Sequence, residues 1–246
     1  MRIGIIGLGE VGSAIKTIYE KTQQNFELFT MDVNHDEIND SVNILNVCIG
    51  WSESFISTVV EKARLCNYVV IHSTVPVGTS KKLEEATRKP VIHSPIRGIH
   101  PHLYRGIITF EKYFGSASED IAVSNYVANH FESLGIKTRV LSNSNTTELG
   151  KLLDTTYYGV CIAWHQHMKE MCDFFDGEFD EAVTLFNNTY NEGYESLGMS
   201  NVIRPVLYPP GKTIGGHCIM PNAEILNEDF RSSFIEALLK FKKENK

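Results

Sequence analysis

Apolar and polar positions follow two different patterns along the chain. Over residues 1–145, short apolar runs such as 2–7, 42–49 and 68–72 alternate with longer amphipathic stretches. Strands that alternate with helices indicate a doubly wound parallel sheet covered by helices. The pattern therefore predicts an α/β domain of the Rossmann type over residues 1–145.

Residues 146–176 form the longest stretch with a single helical period. Apolar side chains recur there at steps of three and four, which is the spacing of one helical face. Asn145 and Glu148 suit the start of this helix as a capping pair, and Gly177 suits a left-handed turn at its end. Because such a helix is about 46 Å long, we expect it to join two bodies or to lie against a second copy of the chain.

The rest of the chain predicts a smaller helical domain. Residues 179–187, 190–197 and 228–243 have helical patterns, and the run 201–222 between them is rich in proline and glycine. A long ordered loop of this kind is usually functional. We therefore predict an all-α domain over residues 146–246, entered by the long central helix.

Composition excludes several functional classes. The net charge of −7 provides no basic stripe, so nucleic acid is not expected as a partner. The five cysteines contain no CxxC pair, which favours thiols in a reducing compartment. The N-terminus lacks signal-peptide architecture, and no apolar run is long enough for a membrane span. We expect a cytoplasmic protein without membrane contacts.

A glycine-rich turn follows the first predicted strand and precedes the first helix, as in dinucleotide-binding domains. Gly9 would let the backbone approach a pyrophosphate at the helix N-terminus. Asp32, twenty residues beyond the last glycine, would accept hydrogen bonds from a ribose diol and repel a 2′-phosphate, so NAD is favoured over NADP. The predicted cofactor contacts in this region are Gly7, Gly9, Glu10, Val11, Gly12 and Asp32.

Three segments follow predicted strands at one edge of the sheet: 50–52, 73–76 and 93–97. Ligands of such sheets bind beyond the carboxyl ends of the strands. We therefore place these segments around one crevice, with Ser73 and Thr74 contacting the cofactor.

Five motifs, GLGEVG, HSTVPVGTS, HSPIRG, TELGKLLD and PPGKTIGGHCIMP, occur in an order and spacing that resemble the UDP-sugar 6-dehydrogenase family. The closest resemblance is to its UDP-N-acetylmannosamine and UDP-N-acetylglucosamine dehydrogenase branch. Members of this family oxidise a sugar CH₂OH to a carboxylate in two NAD-dependent steps. The resemblance implies a small-molecule substrate, such as a nucleotide sugar or a truncated analogue.

The resemblance also assigns catalytic roles. Cys218 would be the nucleophile that captures the aldehyde, Lys151 would bind the developing oxyanion, and Thr74 would lie near the reacting carbon. Hydride can leave an aldehyde carbon only after a nucleophile has made it tetrahedral, and a thiolate suits this step. Arg204 would reach the substrate of a neighbouring subunit in a homodimer. The predicted substrate contacts are Arg97, His100, His102, Thr155, Arg204, His217 and Asn222.

The chain departs from the family pattern at three positions. Ile96 replaces a glutamate, Thr155 replaces an asparagine, and Asn222 replaces an aspartate. The carboxylates that would activate water are therefore missing from their expected places. The chain also ends where the family continues into a third domain that binds the nucleotide half of the substrate.

Three histidines near the crevice, His93, His100 and His102, are candidates for the missing general base, since imidazole titrates near neutral pH. No carboxylate or cysteine shares their spacing, so no metal site is predicted.

Three functions remain open from the sequence. The first is an NAD-dependent dehydrogenase that oxidises a primary alcohol of a sugar-like or small substrate through Lys151 and Cys218. The second is a two-electron alcohol or hydroxyacid dehydrogenase that uses Lys151 alone, since the domain arrangement also resembles the β-hydroxyacid dehydrogenases. The third is a non-catalytic NAD-binding sensor, or a partner subunit of a separate nucleotide-binding chain.

Overall fold

The computed structural model describes residues 1–98, 100–215 and 218–242. The chain forms two compact units, Met1–Lys151 and Leu152–Lys246. The division falls inside the long helix, a few residues beyond the predicted boundary at residue 145.

The first unit is built on one eight-stranded sheet. Its strands are β1 (Arg2–Ile6), β2 (Glu27–Asp32), β3 (His35–Asp36), β4 (Val42–Val47), β5 (Cys66–Ile71), β6 (Val91–His93), β7 (Lys112–Ser116) and β8 (Thr138–Val140). Their order across the sheet is β3-β2-β1-β4-β5-β6-β7-β8. Neighbours run parallel except for the pairs β2–β3 and β6–β7. The predicted Rossmann-type α/β class is confirmed.

Six helices accompany these strands: α1 (Glu10–Lys21), α2 (Phe55–Ala63), α3 (Thr79–Thr87), α4 (Leu103–Thr109), α5 (Ile121–Ser133) and α6 (Ser144–Phe174). Neither β3 nor α4 is predicted from the sequence. Both are too short, at two and seven residues, to show a period of their own.

The core of the first unit consists of two apolar clusters. Successive residues of a strand face opposite sides of its sheet, so Ile5 belongs to one cluster and Ile6 to the other. Phe114 and Phe131 fill the first cluster, and Phe55 fills the second. Each such fully buried side chain contributes about 1.5–3 kcal/mol.

The start of α6 differs from the prediction. The side-chain oxygen of Asn143 accepts hydrogen bonds from the backbone N–H and the hydroxyl of Thr146, both at 2.9 Å. Asn143 is therefore the capping residue, and the predicted pairing of Asn145 with Glu148 is wrong. Glu148 is fully buried and caps α3 instead.

The end of α6 also differs in detail. Asp176 takes the left-handed conformation, at φ 54°. Gly177 donates its backbone N–H to the carbonyl of Cys172 at 2.8 Å, which is the long closing bond of a Schellman motif. Gly177 therefore helps to end the helix, but the left-handed position predicted for it belongs to Asp176.

The second unit is helical. After α6, a wide helical turn at Asp180–Leu185 continues directly into α7 (Phe186–Ser196), so the two helices predicted at 179–187 and 190–197 are one rod. A short 3₁₀ turn follows at Ser200–Val202. No helix of the described residues is long and apolar enough to cross a membrane.

The single helix predicted at 228–243 is wrong. The structure has α8 (Ile219–Asp229) and α9 (Ser233–Leu239), separated by an extended segment around Ser232. The sequence does not predict α8, because Pro221 lies in a run rich in proline and glycine, which predicts irregular structure. Pro221 is the third residue of α8, where its missing N–H leaves no helical hydrogen bond unmade.

Candidate functional site

The glycine turn after β1 has the geometry of a dinucleotide cradle. Gly7 has φ +87°, and a Cβ at Gly12 would lie 1.7 Å from the carbonyl oxygen of Gly7, so both positions require glycine. Gly9 caps α1, and a Cβ there would meet nothing within 4 Å. Open space therefore lies in front of the helix N-terminus, where backbone N–H groups can bind an anion.

Asp32 holds this turn in place. Its carboxylate accepts hydrogen bonds from the backbone N–H of Val33 at 2.8 Å and of Leu8 at 2.9 Å. These two bonds lower the pKa of the carboxyl group, which stays charged and is half-buried. Because each carboxylate oxygen has a second lone pair, Asp32 can also accept from a ligand hydroxyl.

The two residues after Gly9 differ in exposure. Glu10 is exposed and forms a hydrogen bond with Nδ1 of His100, while Val11 is half-buried. Glu10, a predicted cofactor contact, and His100, a predicted substrate contact, are thus in contact with each other. The remaining histidine of that loop, His102, is exposed, and its carbonyl accepts from the backbone N–H of Gly106 as α4 begins.

Just after β5, Ser73 is buried and its hydroxyl donates to the carbonyl of Ile49, two residues beyond β4, at 2.5 Å. Its own carbonyl accepts a hydrogen bond from Nε2 of His93 at 3.1 Å. Thr74 comes next and is half-buried. The guanidinium of Arg97 lies over the ring of Tyr113, 5.1 Å from its centre.

His93 is not a general base. It is fully buried, and burial lowers its pKa to about 3, with the charges of Lys112 and Lys151 acting in the same direction. Its Nε2 faces the Ser73 carbonyl and its Nδ1 lies 2.9 Å from the hydroxyl of Thr147. Both ring nitrogens are therefore engaged within the fold.

Lys112 is a buried cation that the sequence analysis misses. Its ammonium donates to the carbonyl of Ser94 at 2.7 Å and lies 3.2 Å from Nδ1 of His72. Burial, together with the charge of Lys151, lowers its pKa to about 7. The only sign of this buried cation in the sequence is that a lysine directly precedes the apolar residues of β7.

Lys151 is the last residue of the first unit and is half-buried. Its charge acts on both His93 and Lys112. His93 ends β6, and the parallel strands β1, β4, β5 and β6 point in the same direction. Lys151 therefore lies within electrostatic reach of the carboxyl edge of the sheet.

In the second unit, the structure brings Cys218, Asn222 and Thr155 together. Asn222 donates its side-chain amide to the hydroxyl of Thr155 at 3.0 Å and its backbone N–H to the carbonyl of Cys218 at 3.1 Å. At Gly159 a Cβ would lie 2.4 Å from the side chain of Ile219, so α6 and α8 pack closely here. The sequence does not predict this close packing at Gly159. The predicted substrate contact His217 lies outside the described residues.

Arg204 lies against α7 in the same unit. Its guanidinium carbon is 4.4 Å from the ring centre of Tyr190 and 5.4 Å from that of Tyr194. Its backbone forms two hydrogen bonds with the side chain of Asn191, at 2.8 and 2.9 Å. Within the described residues, Nη1 of Arg204 is buried without a hydrogen-bond partner.

The second unit also contains a cavity of about 760 Å³ along α6 and α9, lined by side chains that include Val160, Trp164, Phe234, Leu238 and Phe241. None of the predicted site residues that the structure describes lines it. The cavity and the Cys218 cluster are therefore separate features of this unit.

Known proteins resemble the chain over part of their length. The chain is 25% identical over 197 residues to the UDP-N-acetyl-D-mannosamine dehydrogenase of Pyrococcus horikoshii, and 27% identical over 156 residues to that of Methanococcus maripaludis. The chain is therefore similar to UDP-sugar dehydrogenases at low sequence identity. These matches cover 76% and 62% of this chain but only 43% and 33% of those dehydrogenases.

Several solved dehydrogenase structures share the fold of this chain. The UDP-D-ManNAc dehydrogenase structure from Pyrococcus horikoshii superposes with a TM-score of 0.76 at 22% identity, covering 98% of this chain and 68% of that one. A 3-hydroxyisobutyrate dehydrogenase from Mycobacterium tuberculosis superposes with a TM-score of 0.69 at 10% identity, covering 97% and 91%. No protein-family model matches the chain.

Proposed function

We propose that the protein is an NAD-dependent oxidoreductase that oxidises the primary alcohol of a nucleotide sugar or a related small molecule. The position of Lys151 carries this proposal. Its charge acts on His93 at the carboxyl edge of the sheet, the edge at which the glycine turn after β1 also opens. A cationic side chain beside a dinucleotide cradle can bind the oxygen of an alcohol while its carbon loses hydride.

The residues of the first unit fit NAD. The open space before Gly9 admits a pyrophosphate, and Asp32 has free lone pairs for the ribose hydroxyls. When bound, NAD accepts the hydride. The charged carboxylate of Asp32 would repel a 2′-phosphate, so NAD is preferred to NADP.

Lys151 and Cys218 have different roles in the remaining reaction steps. In the first step Lys151 binds the alcohol oxygen as its proton leaves, and an aldehyde forms. The thiolate of Cys218 then adds to the aldehyde carbon, and Lys151 stabilises the resulting oxyanion. Loss of a second hydride from this tetrahedral carbon gives a thioester, and water releases it as a carboxylate and the thiol.

The last step lacks the two carboxylates that would serve as its base, because residues 96 and 222 are Ile and Asn. Ile96 is buried and apolar, and the side chain of Asn222 is a neutral amide that donates to Thr155. General-base assistance is typically worth about 10² to 10⁴ in rate. We therefore propose that the thioester on Cys218 is slow to hydrolyse, unless His100 or His102 takes this role.

The same observation supports a second candidate function. Without a base to release the thioester, the enzyme can act as a two-electron dehydrogenase in which Lys151 exchanges the proton of a secondary alcohol and Cys218 is structural. Asn222, whose amide is held by Thr155, then has only a structural role as well.

We also propose a homodimer built along α6. Large apolar side chains remain exposed along this helix: Leu149 at 38%, Leu153 at 50%, Tyr157 at 64%, Trp164 at 53% and Phe174 at 80%. Exposed apolar surface of this extent is typical of a protein interface. Their spacings of four, four, seven and ten residues place them on one stripe of the helix, which a second copy of α6 can cover.

Two measurements together test the oxidation chemistry. The protein is mixed with NAD and UDP-N-acetyl-D-mannosamine, or with a simple hydroxyacid, and the NADH formed per substrate consumed is counted. Intact-mass analysis then looks for an acyl adduct. An adduct that disappears in Cys218→Ala supports the four-electron mechanism. One NADH per turnover, no adduct and full activity of Cys218→Ala would establish the two-electron reaction.

A further inference from the structure

Three buried side chains connect the first turn of α6 to the crevice strands. Thr147 is 2% exposed, and His93 and Glu148 are fully buried. The carboxylate of Glu148 accepts from the backbone N–H of Gly78 at 2.7 Å, and from the backbone N–H and hydroxyl of Ser80 at 2.9 and 2.6 Å. Glu148 thereby fixes α6 to the start of α3.

The second connection runs through His93 to the crevice itself. A carbonyl can only accept, so Nε2 of His93 must carry the proton that it donates to the Ser73 carbonyl. Nδ1 is then an acceptor and receives the hydroxyl proton of Thr147. Because His93 stays neutral, this bridge keeps one direction at all pH values well above 3.

Thr147 precedes Lys151 by four residues, one turn of α6, so the two residues lie on the same helical face. The bridge from Ser73 through His93 to Thr147 therefore fixes the turn of α6 that carries Lys151.

We propose that Thr147, held by His93, is a positioning residue that fixes Lys151 relative to Ser73 and Thr74. The catalytic part of this inference rests on the proposed function, but the position of Lys151 does not. Loss of the Thr147 hydroxyl breaks the bridge to His93. The turn of α6 that carries Lys151 is then held less firmly, and the half-buried Lys151 side chain becomes more accessible to solvent.

The test compares three variants of the full chain. Thr147→Val removes the hydroxyl at nearly constant shape, and Thr147→Ser restores it. Thr146→Val removes the neighbouring hydroxyl, which is exposed and contacts only Asn143 and Ser142 among the described residues. Lys151 is labelled with an amine-reactive reagent at one fixed pH without any substrate, and the rate at which its peptide gains the label is followed by mass spectrometry.

We expect Lys151 to be labelled faster in Thr147→Val and at the wild-type rate in Thr147→Ser and Thr146→Val. We also expect kcat of Thr147→Val to fall about tenfold with unchanged NAD affinity, since small displacements of reacting groups are costly. A labelling rate in Thr147→Val equal to that of Thr146→Val would overturn the proposal, even if the variant is less stable. Faster labelling in a protein that oxidises no alcohol would keep the proposal and reject the catalytic function.

Discussion

Replacing the buried Lys112 by methionine should stabilise the protein at neutral pH. Lys112 is 4% exposed. In the described parts of the chain, its ammonium has two neutral hydrogen-bond partners, the carbonyl of Ser94 and Nδ1 of His72. Burial lowers its pKa from 10.5 to about 7. A group that binds its proton more weakly in the folded state than in the unfolded state reduces stability when it is charged.

The sign of the pH dependence follows from this shift. Between pH 7 and 10.5 the unfolded state binds more protons at Lys112 than the folded state, so stability rises with pH across that window. One pKa unit corresponds to about 1.4 kcal/mol, which gives a cost of about 4 to 5 kcal/mol below pH 7. Removing the side chain takes one donor from the Ser94 carbonyl, which also lies 3.0 Å from Nδ1 of His72, at a cost of about 1–3 kcal/mol. The net gain at pH 7 is therefore about 2 kcal/mol.

Urea unfolding of wild type and Lys112→Met between pH 7 and 9.5 measures this effect. The advantage of the variant should shrink by about 1.4 kcal/mol per pH unit as the wild-type lysine loses its proton. Lys81→Met is the matched control, because Lys81 is exposed and pairs with Glu119 at 3.4 Å. A variant that is less stable at pH 7, or a difference independent of pH, would refute the assignment of Lys112 as a buried cation.

Three further predictions concern the cofactor and the assembly. Wild type should bind NAD more than about tenfold more tightly than NADP, and Asp32→Ala should narrow the ratio in calorimetric titrations; equal affinities in wild type would remove Asp32 from the ribose site. Gly9→Ala should fold normally and lose NAD affinity, whereas Gly12→Ala should be destabilised in thermal unfolding because its Cβ would lie 1.7 Å from a carbonyl oxygen. Light scattering should show that wild type is a dimer. Trp164→Glu should be a monomer, because it places a charge on the exposed stripe of α6. A monomeric wild type would contradict the stripe as an interface.

The fold of the first unit could largely be predicted because its signals are local. Alternating apolar runs mark the strands, and the close approach of Gly12 to Gly7 leaves a glycine signature that the sequence displays directly. The helical period of α6 is equally visible. In contrast, α8 begins within a proline-containing loop pattern, and a single proline in its first turn is compatible with both helix and loop.

The connections around the candidate site could not be predicted, because they join residues distant in sequence. Glu148 looks like a capping residue of its own helix, yet it caps α3, some 68 residues earlier in the chain. His93 has the residue type of a general base, and only its burial shows that it is a neutral bridge. Residue type suggests which chemistry is possible, whereas tertiary contacts decide whether a side chain is accessible.

The central claim is that Lys151 takes part directly in oxidising an alcohol with NAD. The measurement is the rate of NADH formation with UDP-N-acetyl-D-mannosamine for wild type, Lys151→Met and the exposed control Lys81→Met, with NAD affinity determined in parallel. We predict that Lys151→Met loses about 10² or more in kcat while its NAD affinity stays within about twofold of wild type, and that Lys81→Met is unaffected. A Lys151→Met variant that turns over at the wild-type rate would contradict the account.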